Sequence, residues 1–343
     1  MITVTLYLRE NCHLCELTKA DLESLQDEIP HRIVEIDIDS NRDLQAAFGL
    51  EVPVVEVGPY RLVAPISRDD LRMTLLAATD RVNHLTSING DEYQRRLELG
   101  WTLSKADRFS YWLSNHYMTL FNTFVFLYLG LSFLAPGLMD IGITGPARLI
   151  YRAYGAVCHQ FAFRSWFLFG EQPVYPRLAA GVQGLIPFGV ATGINEGDIW
   201  AAREFIGDPT LGYKIALCER DVAIYGGILL FGLVFSLTGK RIKPLPWYLW
   251  ILIGIVPIGL DGFSQILSQP PFNLIPPLNL LPYRESTPLL RTLTGALFGI
   301  TTAWFGYPLV EESMFDTRKY MASKFARIRS ESGELKNRIE TSI

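Results

Sequence analysis

The chain has 343 residues, long enough for about two domains. Hydrophobic side chains make up 49% and charged ones only 19%, against roughly 25% charged in an average soluble domain, and the mean hydropathy is +0.19. This excludes a disordered chain and an ordinary water-soluble protein, while a net charge of −4 offers no basic surface for nucleic acid.

The N-terminus, MITVTLYLRENC, has no basic lead before an apolar run. No cleavable signal peptide is expected, and the first domain is expected to stay in the cytoplasm. Ile2–Tyr7 is rich in Val, Ile and Thr and reads as a strand. Arg9-Glu10-Asn11 leads into Cys12-His13-Leu14-Cys15 and a helix with Leu17, Leu22 and Leu25 along one side. Arg32–Ile38 alternates as a second strand, and Ser40 is placed to cap a helix over Asn41–Phe48 that Gly49 ends. Val52-Pro53-Val54-Val55 starts a third strand, Gly58-Pro59 turns, and Arg61–Ala64 returns. Ser67-Arg68-Asp69-Asp70 opens a last helix with acids in its first turn. The order over residues 1–80 is β-α-β-α-β-β-α.

With Cys-X-X-Cys at the first strand–helix junction, this order resembles the thioredoxin fold, and specifically the small glutaredoxin-like proteins. The spacing has a direct chemical reason. Cys12 at a helix N-terminus faces unpaired backbone N–H groups that stabilise its thiolate. Cys15, one turn later, is close enough to resolve a mixed disulfide. Val52-Pro53 matches the place where this fold carries a cis-proline beside the dithiol, so the resemblance implies catalytic roles for Cys12, Cys15 and Pro53. Half of a structural metal site, or a pair of inert thiols, are the other readings of these cysteines. Glutaredoxins that bind glutathione carry a Gly-Gly pair and an acid after the last strand. Here the stretch is Val63-Ala64-Pro65-Ile66-Ser67-Arg68-Asp69, which puts glutathione in doubt, and no other cofactor is expected.

Residues 81–108 form a polar linker, in which Tyr93, Leu97 and Trp101 lie among Arg95, Arg96 and Glu98 as on a helix at a membrane surface. A membrane domain is expected over 109–312, all-α, with spans at about 117–134, 222–237, 245–267 and 289–310, each near the roughly 20 residues needed. The stretch 178–195 is uncharged but rich in Gly and Ala, and suits a re-entrant or interfacial segment better than a span. Lys240, Arg241 and Lys243 fill one short loop, and the tail, 313–343, carries Arg318, Lys319, Lys324, Arg327 and Arg329. Basic segments favour the cytoplasmic side. Four spans put both of them inside together with the head; five do not. An integral cell-membrane protein with both termini cytoplasmic is expected, its partners being membrane lipid and no nucleic acid. Residues 136–220 then face outside, where Cys158 and Cys218 are a disulfide, reactive thiols or buried apolar thiols.

Gly155-Ala156-Val157-Cys158-His159-Gln160, Arg164-Ser165-Trp166-Phe167 and Glu171-Gln172-Pro173-Val174 come in order. They are followed by Cys218–Gly226, Asp261-Gly262 with Gln265, Arg284-Glu285-Ser286-Thr287 and Leu293-Thr294-Gly295. Over about residues 145–305 this resembles a family of prokaryotic membrane proteins, number 2085 among the domains of unknown function. The family pattern has Cys-Ala-Arg-Cys after Pro-Val; here Tyr175-Pro176-Arg177-Leu178 stands there, so both cysteines are absent. Cys158, His159 and Cys218 remain as candidate zinc ligands, beside the plainer reading of His159 as a structural hydrogen-bonding residue.

Polar groups in or beside spans mark sites because charge in hydrocarbon is costly. Asp261 and Gln265 are four apart and share a helix face, as do Arg291 and Thr294. Glu219, Arg220 and Asp221 stand where the second span begins. A pair Asp261–Arg291 is expected, with Arg284 and Glu285 at the rim as alternative partners, either as a structural ion pair holding helices together or as part of a substrate or electron-carrier pocket. The function these features imply is a membrane-tethered thiol–disulfide oxidoreductase acting on a protein or small-molecule disulfide. The alternative is a transporter or membrane assembly protein with a redox-sensing, glutaredoxin-like head.

Overall fold

Alternating side chains build the first sheet. Within β1 (Ile2–Leu8), Ile2, Val4 and Leu6 point to one face and Tyr7 to the other. The structure, a computed structural model, describes residues 2–340, with side chains throughout that range except at Asn279 and 331–340. These residues divide into two units, 2–116 with 313–340, and 117–312.

In the first unit β1 pairs in parallel with β2 (His31–Asp37) and antiparallel with β3 (Val54–Val57), which pairs antiparallel with β4 (Tyr60–Val63). The strand order is β2-β1-β3-β4. The parallel pair needs a crossover, and α1 (His13–Ser24) supplies it. One face of the sheet packs on Leu22 and Leu25 from the α1 segment and on Leu71, Leu75 and Ala78 of α3 (Arg68–Trp101). Each such fully buried Leu contributes about 1.5–3 kcal/mol. The other face packs on Leu44 and Phe48 of α2 (Arg42–Phe48) and, from far along the chain, on Ala322. The order β-α-β-α-β-β-α is a thioredoxin-like topology.

Several local expectations change. On α1 the buried face is Cys15, Thr18 and Leu22, while Leu17 is half exposed. At 100° per residue Leu17 stands about 140° from Leu22, whereas Thr18 stands about 40° from it. Asn41, not Ser40, caps α2, its Oδ1 accepting from the Asp43 and Leu44 N–H groups at 2.8 and 3.4 Å. The Ser67–Asp70 capping box is present. The polar linker is helix: α3 runs on to Trp101 through a kink at Asn89, and Glu92 pairs with Arg95 and Arg96 one turn away. The basic tail is tied into the first unit. Arg318 donates to the Ser114 carbonyl at 2.6 Å and Lys324 Nζ lies 2.9 Å from Asp107, both side chains nearly buried. The last residues of that tail, 341–343, lie outside the described residues.

Among the described residues four helices are long and apolar enough to cross a membrane: α4 (Lys105–Asp140), α8 (Glu219–Leu237), α9 (Trp247–Leu267) and Pro288–Ser330 within α10 (Pro288–Glu340). α9 carries a π-helical stretch, Trp250–Ile255, immediately before Pro257, where the missing N–H already breaks regular pairing. α8 and α10 pack closely: a Cβ on Gly299 would lie 2.1 Å from the Ile224 carbonyl, and one on Gly295 2.7 Å from that of Arg220.

Between α4 and α8 the chain forms α5 (Thr144–Tyr154), the short strands β5 (Phe167–Leu168), β6 (Gly207–Asp208) and β7 (Gly212–Lys214) in the order β5-β7-β6, and two short helices, α6 (Phe188–Thr192) and α7 (Ile199–Glu204). The segment 178–195 contains a three-residue 3-10 turn and α6, joined through glycines at positive φ, and is not a spanning helix.

Candidate functional site

The dithiol is positioned by β1 and α1. Cys12 is the N-cap of α1, and the Cys15 N–H donates to Cys12 Sγ at 3.2 Å. This N–H, in the first turn of the helix and shared with the Cys12 carbonyl at 2.9 Å, favours negative charge on that sulfur. Cys12 is half-buried and Cys15 buried, and the two are joined in a disulfide with a Cα–Cα separation of 5.2 Å. The Val52–Pro53 bond is cis. Since Val54 pairs with Tyr7 near the end of β1, Pro53 sits at the same end of the sheet as the β1–α1 junction.

In the second unit Cys158 Sγ, Cys218 Sγ and an Asp221 carboxylate oxygen lie within 4.8 Å of one another. Cys158 follows α5, Cys218 is the N-cap of α8, and Asp221 falls one turn into that helix. Two side chains clamp these segments together. Gln160, at φ 54, donates to the Tyr151 carbonyl at 3.0 Å and the Ala216 carbonyl at 2.7 Å. Lys214 Nζ donates to the carbonyls of Gln160 and Arg203 at 2.7 and 2.6 Å. Burial pushes Lys214 down to about 7. The hydrogen bond between the two thiols holds Cys158 below the ordinary thiol range and pushes Cys218 above it. His159 is not within the three-residue cluster but lines the same cavity, of about 260 Å³, along with Arg164, Arg220 and Arg291.

A buried polar network adjoins this cavity. Asp261, on α9, accepts from Arg220, from Arg284 at 2.8 Å and from Ser286 at 2.8 Å. The expected Asp261–Arg291 pair is not formed. Arg291 instead pairs with Glu285 and, at 3.5 Å, with Glu219. Glu285 also receives Arg164 at 2.9 Å, Arg177 at 3.3 Å and Gln265 at 2.6 Å. Burial raises the Glu285 pKa, but Arg164, Arg291 and Arg177 together outweigh it and hold the carboxyl below its usual range.

Asp261 and Gln265 do share one buried face, and Arg284 and Glu285 join them. Glu219 and Arg220, already marked by their charge at the start of the second span, belong to this site, whereas sequence reasoning left Arg164 and Arg177 out of it. All four stand in or beside the motifs quoted above, but none lies at helical spacing from Asp261 or Arg291, so periodicity has no means of grouping them.

Residues 3–78 match the glutaredoxin-like domain family (DUF836) and residues 209–305 match the family described as predicted membrane protein (DUF2085). The second match starts well after residue 145, where the sequence motifs begin. An uncharacterised protein of Methanocaldococcus jannaschii is 23% identical over 211 residues, covering 59% of this chain and 97% of its own. No solved structure matches. The chain is an N-terminal glutaredoxin-like domain fused to a DUF2085 predicted membrane domain.

Proposed function

We propose that the protein is a membrane-tethered thiol–disulfide oxidoreductase. In this reading the chemistry resides in residues 1–80 and the membrane anchorage in 109–312. The observation that carries it is the asymmetry of the dithiol: Cys12 is accessible at a helix N-terminus with an N–H aimed at its sulfur, and Cys15 is buried one turn behind it. In the reduced state the Cys12 thiolate attacks one sulfur of a substrate disulfide. A Cys12–substrate bond forms, the substrate S–S bond breaks, and the first substrate thiolate leaves and takes up a proton. Cys15 then loses its proton and attacks Cys12 Sγ, which releases the second substrate thiol and leaves the Cys12–Cys15 disulfide. Two electrons pass to the substrate, and a cytoplasmic dithiol reductant supplies two more to the pair, becoming a disulfide itself. Pro53, at the same end of the sheet, borders the place where the substrate sulfurs sit.

The basic loop between α8 and α9 and the basic residues 318–329 support a cytoplasmic location for the head and both termini. Substrates in this reading are protein or small-molecule disulfides, and the body's partner is membrane lipid.

A single-turnover experiment tests the reading. Pre-reduced full-length protein in detergent is mixed with a disulfide of a coloured aromatic thiol. Wild type releases two thiols per chain in a fast reaction. Cys15→Ser releases one and keeps the other half bound to Cys12. A Cys12→Ser protein that reacts as fast as wild type overturns the proposal.

A second reading rests on a different observation, the cavity lined by Arg164, Arg220, Arg291 and Gln265 beside buried carboxylates. There the body handles a small polar solute and the head senses redox state. Loss of solute uptake in Arg291→Gln, at normal abundance and with thiol release intact, distinguishes it.

A further inference from the structure

We infer that Cys158, Cys218 and Asp221 form a three-ligand site for a thiophilic divalent cation, zinc by its donor set, with a fourth coordination position opening onto the adjoining cavity. This site is separate from the redox dithiol and does not depend on the function proposed for it.

The two sulfurs and the carboxylate oxygen already lie within 4.8 Å of one another. Zn–S bonds of about 2.3 Å and Zn–O bonds of about 2.0 Å give tetrahedral edges of roughly 3.3–3.8 Å, which small side-chain rotations reach. Cys218 and Asp221 are three apart at the start of α8, so they project from one face, and Cys158 meets them from the loop after α5.

The segments that carry the three ligands are held together by side-chain bonds. Gln160 occupies a left-handed backbone conformation that few non-glycine residues adopt. Its side chain bonds across to Tyr151 and Ala216, binding the Cys158 loop to the segment that leads into Cys218. Lys214 and Tyr151 add bonds between the same segments, the Tyr151 hydroxyl donating to the Lys214 carbonyl at 2.5 Å. Such outer bonds hold ligands in a fixed geometry.

Among the described residues Asp221 pairs with no arginine or lysine, whereas Glu219, Asp261 and Glu285 nearby each do. Asp221 is thus the one carboxylate of this region without a protein cation, and it faces two thiols. Two sulfur donors select zinc over magnesium or calcium, which take oxygen. Three protein ligands beside a cavity of about 260 Å³ leave room for water as the fourth.

Cobalt(II) substitution tests this. In full-length Cys12→Ser/Cys15→Ser protein, the only thiols left of the chain's four cysteines are Cys158 and Cys218. The protein is purified in detergent under reducing, anaerobic conditions, stripped with a chelator and titrated with Co²⁺ alone. The expected result is saturation at one metal per chain, with thiolate-to-cobalt charge-transfer absorption and the strong visible bands of a tetrahedral site, both abolished by one equivalent of Zn²⁺. Asp221→Asn retains both thiols and is expected to weaken Co²⁺ binding by roughly tenfold or more. The additional replacement of Cys158 by serine is expected to remove the charge-transfer band, with folding monitored by circular dichroism and gel filtration. A native protein with two titratable thiols and no band overturns the inference, and so does a Cys158–Cys218 disulfide trapped by alkylation at lysis. Unchanged cobalt affinity in Asp221→Asn removes that residue from the ligand set and overturns the inference as stated.

Discussion

Glu285→Gln is the substitution whose cost can be worked most directly from the second unit. The side chain keeps its volume and one acceptor oxygen but loses the charge that faces Arg164, Arg177 and Arg291. Removing one partner of a buried ion pair costs about 3–5 kcal/mol, because a charge is left unpaired out of water. The three arginines are not equally stranded. Arg164 is 27% exposed and turns to solvent, and Arg291 keeps Glu219 at 3.5 Å. Arg177, only 10% exposed and stacked 3.9 Å from the Phe163 ring, has no other carboxylate among the described residues. One orphaned guanidinium places the loss at the lower end, about 3 kcal/mol, or roughly 100-fold in the unfolding constant. Unfolding of full-length protein in mixed micelles, followed by tryptophan fluorescence against rising anionic detergent, measures it. Two further results are expected. Adding Arg177→Met to Glu285→Gln costs less than Arg177→Met alone, since the orphan is already present. The deficit of Glu285→Gln also depends on pH. The folded pKa is depressed, so the wild-type advantage is full above the unfolded carboxylate pKa and is lost as pH falls through the folded value. Wild-type stability in Glu285→Gln at neutral pH, or a double mutant whose losses simply add, shows instead that the Glu285 charge does not hold Arg177 in the fold.

Two other outcomes are expected. Gly299→Val forces a side chain onto the Ile224 backbone and separates α8 from α10, costing about 1–3 kcal/mol in the same assay, whereas Gly130→Ala, with open space around it, costs little. In a cysteine-free background, Arg241→Cys is shielded from an impermeant alkylating reagent in intact cells and Gly142→Cys is labelled; the reverse pattern inverts the proposed topology.

The head is legible in the sequence because its rules are local. Period-two alternation in Ile2–Leu8, the Ser67–Asp70 capping box and the Cys-X-X-Cys junction each depend on neighbours within a few residues. Local rules fail where two candidates compete, as Ser40 and Asn41 do for one helix start. They fail again where a partner arrives from afar: Ala322 completes a core whose other members lie between Tyr7 and Val54. In the membrane domain hydropathy locates the four long helices but not the pairing of their charges. The shared face of Asp261 and Gln265 follows from a spacing of four residues. That Asp261 takes Arg220 and Arg284, and leaves Arg291 to Glu285 and Glu219, depends on how three helices and a loop meet. Asp221 illustrates the same limit. Beside a span it reads as a polar-site residue, and only the fold brings Cys158 to it across more than sixty positions.

Disulfide exchange through Cys12 by a membrane-held dithiol can be caught by covalent trapping in native membranes. Cys15→Ser, which blocks the resolving step, is expressed full-length, and membranes are alkylated at lysis and run without reductant. Adducts are expected that a reductant dissolves and that vanish in Cys12→Ser/Cys15→Ser. Equal adducts from the double variant, or none from an abundant and folded Cys15→Ser protein, overturn exchange through Cys12.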